Sequence, residues 1–268
     1  MTVSRPWQLT MRVVALGWLL IILLAPVSLI FYRTFEHGVG AVIDAITTPA
    51  AVSAFWLTIE VSAIAVVANT IFGVVMALTL ARGRFRGKWV LDTIIDLPFA
   101  ISPVVVGLAL VLVYGTNGWF GKDLADAGIQ VIFSTPGIVL ATVFVTLPFV
   151  VREVTPVLRE IGDDQEQAAA TLGANGWQTF WRITLPAIRW GIAYGVVLST
   201  ARAIGEFGAV SVVSGNISGK TETLTLLVQK RFNNFDVAGA YAASALLAAI
   251  ALLTLLAMTT FNRRREEA

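Results

Sequence analysis

Six long apolar runs, separated by short polar stretches, set the pattern of this chain. They cover roughly residues 13–32, 56–81, 89–114, 136–155, 187–213 and 237–261. A helix needs about 20 such residues to cross a hydrocarbon layer about 30 Å thick, and each run approaches or exceeds that length. Glycine and proline recur inside several runs. A membrane tolerates them because neighbouring helices take up the freed backbone groups. The first run, Val13 to Tyr32, follows Arg5 and Arg12 and has no small-x-small cleavage pattern after it. It is longer than the ~7–15 apolar residues of a secretory leader, so it reads as a retained span. Residues 41–55 are expected to form a short amphipathic helix at the interface ahead of the second span. The pattern predicts an all-α integral membrane protein. One six-span helical bundle would occupy 13–261, with tails at 1–12 and 262–268.

Composition agrees. Hydrophobic residues make up 57% of the 268 and charged residues only 13%, against about 25% charged in an ordinary soluble domain. The mean hydropathy is +0.79. A net charge of +2 does not point to nucleic acid, because the basic residues fall in short runs between apolar stretches rather than along one face. Their distribution sets an orientation instead. Thirteen Lys and Arg lie in the N-terminal stretch, in RGRFRGK (82–88), in 152–189 and in the C-terminal RRR; five lie in the alternate loops. Positive charge accumulates on the cytoplasmic side, so both termini and 152–189 are expected there. Without cysteine, disulfides and thiol chemistry are excluded. The single histidine, His37, reads as an exposed loop residue.

The longest of the connections assigned to the cytoplasm is DDQEQAAATLGANGWQTFWRITLP, residues 163–186. Asp163 and Asp164 suit a helix start, and Glu166 falls in the first turn. Ala168, Ala169 and Ala170 are strong helix formers with small side chains. Gly173 is placed as a helix-terminating glycine. Trp177, Phe180, Trp181, Ile183 and Leu185 then offer apolar anchors, and Pro186 opens the next span. A smooth, short helix of this kind lets another protein's surface approach closely.

Glu166, Ala168, Ala169 and Gly173, followed after nine residues by Ile183, Leu185 and Pro186, resemble the EAA motif of ABC importer permeases. Gln167 between Glu166 and the alanine pair is the one variation in spacing. The resemblance implies a type I importer permease fold. It also implies that 163–186 is the coupling segment, with Glu166 and Gly173 contacting a separate ATP-hydrolysing subunit. ATP and its magnesium would then be bound by that subunit, with no cofactor and no catalytic site in this chain. GNISGKT (215–221) looks like a P-loop but misses the first glycine, since Ser214 stands in its place.

The fifth run ends in STARAIGEFGAVSVVSG, residues 199–215. Arg202 and Glu206 lie four apart and would share a helix face. A charge in a membrane costs roughly 2.5–3.5 kcal/mol on insertion scales, so such residues face a bundle interior or a cavity. Two readings stay open: an ion pair that locks helices, or a pathway-lining pair assisted by Ser199, Thr200, Ser211 and Ser214. Gly191 and Gly195 have the spacing of a close helix contact. Asp92 and Asp96 read as interface polar groups or contacts to the coupling segment rather than proton carriers.

RAIGEFGAVSVVSG, DLPFAISPVVVGLALVLVYGTNG (96–118) and PFVVREVTPVL (148–158) resemble permeases for sulfate, thiosulfate and molybdate, and among them the W-subunit family of sulfate/thiosulfate importers. That resemblance implies a homologous T-type permease, two copies of an ATPase and a periplasmic sulfate- or thiosulfate-binding protein as partners. The site would be the bacterial inner membrane. A molybdate or tungstate permease is the near alternative, since it shares the GEFGA element. A secondary anion carrier would call for repeated halves, and none is seen.

Overall fold

The computed structural model describes residues 5–36 and 38–266; His37 lies outside them. The chain opens with α1 (Arg5–Leu19), which runs through a π turn at Leu20–Leu24 into α2 (Ala25–Phe35). The short α3 (Gly38–Ile46) precedes α4 (Pro49–Arg82). Next come α5 (Lys88–Ala100), α6 (Pro103–Tyr114), the brief α7 (Gly121–Asp126) and the long α8 (Thr135–Glu160). A connecting segment holds α9 (Asp164–Thr171) and α10 (Gly176–Thr179), then a π turn at Phe180–Thr184. The chain re-enters the bundle as α11 (Leu185–Ile204), followed by α12 (Gly208–Val213), α13 (Leu224–Asn233) and α14 (Val237–Glu266).

Five helical stretches among the described residues are long and apolar enough to cross a membrane: Thr10–Phe35, Pro49–Arg82, Thr135–Glu160, Gly176–Ile204 and Val237–Thr254. The sixth crossing is made by α5 and α6, bent by 111° at Ile101–Ser102. Pro103 forces this break: it withholds a backbone donor and pushes Ser102 into extended geometry, at ψ 133°. That α5 and α6 do carry the chain across follows from their neighbours. Helices α4 and α8 run in the same direction: Leu57 and Val61 lie in one core cluster with Ile138 and Ala141, Gly73 meets Val150, and Arg82 bonds the Leu158 carbonyl. The chain between two such helices must return to its starting end. With six crossings, both ends of the described chain lie at the end of the bundle that carries α9.

Three helices make the centre. Gly73 of α4 and Gly195 of α11 flank Val150 of α8, and Gly191 sits over the Glu153 carbonyl. The expected close contact at Gly191 and Gly195 is therefore made, against α8. Asn69 of α4 ties that helix to α8 as well, donating through Nδ2 to the Val143 carbonyl at 2.9 Å and to Thr146 Oγ1 at 2.8 Å. By contrast, the first span buries none of its most apolar window. It touches the bundle through α14, where Thr34 donates to the Tyr241 carbonyl.

Three boundaries differ from those read in the sequence. The proposed interfacial helix over 41–55 is divided: α3 ends at Ile46, and Pro49 begins the second span seven residues early. Thr48 is the reason, its Oγ1 accepting the Ala51 N–H at 3.3 Å ahead of a proline that fits a helix's first turn. The fifth span is not continuous over 187–213 but stops at Ile204. The helix of the sixth run extends beyond residue 261, since α14 carries through Glu266; residues 267 and 268 lie outside the described chain.

Candidate functional site

The segment between α8 and α11 folds as the sequence predicts at its C-terminal cap and differently at its start. Asp163 is the N-cap of α9 but makes no side-chain hydrogen bond there; Asp164 and Glu166 place their charge in the first turn. At the other end Gly173 adopts φ +86°. The Ala174 N–H then donates to the Ala169 carbonyl and the Gly173 N–H to the Ala170 carbonyl, each at 3.0 Å. This paired closure satisfies orphan carbonyls at the end of the helix and requires the left-handed conformation that glycine supplies. Next, Asn175 and Gln178 exchange side-chain and backbone hydrogen bonds to cap α10. Two turns only a few residues apart are thus locked by their own chemistry, although each is too short to persist alone.

Among its exposed polar residues the segment also shows large apolar side chains to its surroundings. Leu172 is 89% exposed and Trp177 71% exposed. Of the residues expected to anchor it, Phe180 packs on the cluster of Val74, Ala77, Val150 and Val154. Trp177 and Trp181 stack edge-on to each other and remain outside. Ala168 is exposed and Ala169 buried. Open space surrounds Gly173. Ile183 closes the π turn with Thr184, and Leu185 and Pro186 start α11.

Glu166, which the resemblance places in contact with the ATPase, turns its carboxylate inward instead. Its Oε2 accepts from Arg82 Nε at 3.0 Å and its Oε1 accepts from Thr184 Oγ1 at 2.8 Å. The same guanidinium donates to the carbonyls of Leu158, at 2.8 Å, and Gly162. A second charge cluster lies on α5 and α8 at the same end of the bundle. Arg152 pairs with Asp92 Oδ1 at 3.0 Å and donates through Nε to Asp96 Oδ1 at 2.7 Å. The two aspartates therefore serve as interface polar groups between helices and do not reach the α9 segment.

The interrupted fifth span carries the remaining charges. Arg202 lies in the last turn of α11, where a cation suits the helix's negative end. Its Nη1 stands 2.6 Å from Glu206 Oε2, a side chain only 1% exposed, whereas Arg202 keeps 34% of its own side chain open. The contact is an ion pair off hydrogen-bonding direction, which leaves Oε2 without an aligned donor. Glu206 lies beyond the end of α11, so the pair spans a break and not a helical face. Its Oε1 accepts the Ala209 N–H at 2.9 Å and so caps α12, while its carbonyl accepts from Thr225 of α13. Oε2 and the Ser62 hydroxyl, both without a hydrogen-bond partner, belong to residues that line one void of about 10 Å³. Ser199 is fully buried and donates to the Thr146 carbonyl on α8; Ser211 donates to the Gly208 carbonyl. Thr200 donates to its own helix, and Ser214 accepts the Asn216 N–H.

Sequence reasoning passed over Arg82 as a partner of Glu166, and over Glu222. The Glu222 carboxylate is buried, paired with Lys230 Nζ at 2.9 Å and bonded by Ser218 at 2.6 Å. It pins the loop that contains GNISGKT. In that loop the N–H groups of Lys220, Thr221 and Glu222 all turn onto the Ile217 carbonyl, so they form no cradle for a phosphate. A cleft of about 560 Å³ opens at the end of the bundle away from α9, between the α6–α7 turn and residues 128–133. It is lined by Tyr114, Thr116, Asn117 and Gln130 among apolar neighbours and has no charged group to hold an ion.

Residues 69–267 match the family described as Binding-protein-dependent transport system inner membrane component. The sulfate transport system permease protein CysW of Synechocystis is 50% identical over 250 residues, 93% of this chain and 91% of its own. The sulfate transport system permease protein CysT of Escherichia coli is 39% identical over 244 residues, 91% of this chain and 88% of its own. In architecture the chain superimposes on a bacterial ABC transporter involved in the import of the acidic polysaccharide alginate. The TM-score is 0.80 at 21% identity, covering 97% of this chain and 96% of that one. This chain belongs to the binding-protein-dependent transport system inner membrane components, the permeases of ABC importers, within their sulfate transport system branch.

Proposed function

We propose that this chain is one of two membrane subunits of an ATP-driven importer that carries sulfate or thiosulfate into the cytoplasm. The observation that carries the reading is the 50% identity, over nearly the whole chain, to a sulfate transport system permease. The other parts follow the same logic. The subunit pairs with a homologous T-type permease, two copies of an ATPase supply the energy, and a periplasmic binding protein delivers the anion. The α9 end faces the cytoplasm, where the thirteen Lys and Arg gather, against five in the alternate loops. Residues 163–186 are the coupling segment. Its exposed Leu172, open Gly173 and the neighbouring alanines offer a close-fitting surface to the ATPase, with Glu166 and the Ile183–Leu185–Pro186 turn holding it to the spans. ATP-driven approach of the two ATPase subunits moves this segment, and the spans rock as rigid bodies between inward and outward access.

Arg202 is the group we assign to the conduit, steadied by Glu206, with Ser199 and Ser211 supporting the helices on either side of the break. A cation partly neutralised by a buried carboxylate attracts an anion weakly, which suits passage, because a conduit must release what it takes. The test is uptake of labelled sulfate in cells without their own importer, expressing this chain with its partner subunits and challenged with excess thiosulfate or molybdate. Uptake that requires this chain and is blocked by thiosulfate is the expected result. Absence of sulfate uptake with accumulation of molybdate would overturn the substrate assignment.

A further inference from the structure

We infer that Arg82 is a positioning residue of the transport cycle, the one through which movement of the α9 segment reaches three spans at once. The inference rests on the coupling role proposed for 163–186. Its own basis is geometric. Arg82 is the last residue of α4. Its Nε reaches Glu166 Oε2 in the first turn of α9 at 3.0 Å, and its Nη1 reaches the Leu158 carbonyl in the last turn of α8 at 2.8 Å. Its Nη2 bonds the Gly162 carbonyl, in the three-residue turn where the chain changes direction between α8 and α9. Thr184 completes the cluster from the foot of α11, donating to Glu166 Oε1 at 2.8 Å. One carboxylate and one guanidinium thus join the ends of α4, α8 and α11 to the segment that stands outside the bundle.

The same three helices pack closely where Gly73 and Gly195 meet Val150 from two sides. They therefore move as one block, and the Arg82 cluster is where that block is gripped. Only an arginine does this, because its planar fork presents donors in several fixed directions. A lysine would keep the charge and satisfy Glu166, but it could not also hold two carbonyls on a separate helix end and turn. With Arg82 shortened or replaced, α9 can shift against the spans, and ATP turnover is no longer converted into their rotation. Arg84, two residues on, is exposed and sits outside this cluster.

The experiment uses the complete importer in proteoliposomes, with partner permease, ATPase and binding protein, and reads sulfate moved per ATP hydrolysed. For Arg82→Lys and Arg82→Gln that ratio is expected to fall about tenfold or more, within the ~5–150-fold range of coupling free energies between sites. Amide exchange over residues 164–171 should speed up while exchange in the middle of α8 stays slow. Arg84→Gln should keep the wild-type ratio. An unchanged ratio in Arg82→Lys, or a loss of uptake matched by equal loss of assembled complex with α9 exchange unaltered, would overturn the inference. Failure of the wild-type complex to move sulfate at all would count against the substrate reading, while the α9 exchange result would still decide the role of Arg82.

Discussion

Gly195 and Val150 meet backbone to backbone: a Cβ on Gly195 would stand 2.8 Å from the Val150 Cα. Gly73 closes on the same valine from the other side, where a Cβ would come within 2.7 Å of the valine's own Cβ. In a bilayer, helix association draws little from the hydrophobic effect and depends on such close packing. An added side chain has no space to enter unless α8 moves.

Gly195→Val is therefore expected to destabilise the folded subunit by about 1–3 kcal/mol, the usual cost of overpacking. The check is thermal unfolding of the purified complex in detergent. Gly176→Ala is the matched control, because nothing lies within 4 Å of a Cβ there. Equal melting of the two variants would show that the three-helix contact is slack.

Gly173 gives a different outcome from the same residue type. Its surroundings are open, and its φ of +86° closes the α9 cap. Alanine would pay roughly 1–2 kcal/mol for the left-handed backbone. Gly173→Arg adds bulk and charge on the face we propose for the ATPase. We expect Gly173→Arg to reach the membrane in normal amount and to lose sulfate uptake. Normal uptake by that variant would remove Gly173 from the coupling surface.

Much of this arrangement was legible in the chain, for identifiable reasons. Six apolar runs fixed the number of crossings, and Gly173 marked the end of α9, because hydropathy and cap chemistry are local. The break after Ile204 was not read, although the glycines flanking Glu206 and Phe207 stood in view. Local residues permit an interruption there, but only packing decides it: the pieces α6 and α12 share one core cluster with α8. Partners far apart in sequence were beyond reach. Arg82 and Glu166 are separated by 84 positions and Arg152 and Asp96 by 56, and no periodicity links them. Trp177 and Trp181 misled in the other direction, since an apolar side chain signals burial whether the covering surface belongs to its own chain or to another.

Arg152 serves as counter-charge to both Asp92 and Asp96. Arg152→Ala leaves two carboxylates beside each other without it, and removing one partner of such a cluster costs more than removing all of it. The steady-state level of the membrane-inserted subunit should drop in Arg152→Ala. It should recover in large part when Asp92→Asn and Asp96→Asn are added. Quantitative blotting of membranes decides this, and a triple variant no better than the single one would assign the loss to packing of the arginine stem.

Glu206 does two jobs with two oxygens, and separate substitutions divide them. Glu206→Gln keeps an acceptor for the Ala209 N–H, now bonded at 2.9 Å, while removing the charge opposite Arg202. The guanidinium then holds a full positive charge beside the break, and an anion that reaches it should leave slowly. The expected result is a lower maximal rate of sulfate uptake with no loss of folded subunit. Glu206→Ala also removes the cap, worth about 0.5–2 kcal/mol at a helix N-terminus, and should lower the amount of folded subunit as well. Uptake rates normalised to subunit level in the membrane separate the two effects. If Glu206→Gln transports at the wild-type rate, the charge of Arg202 does not act on the anion, and the pair is a lock between α11 and α12 alone.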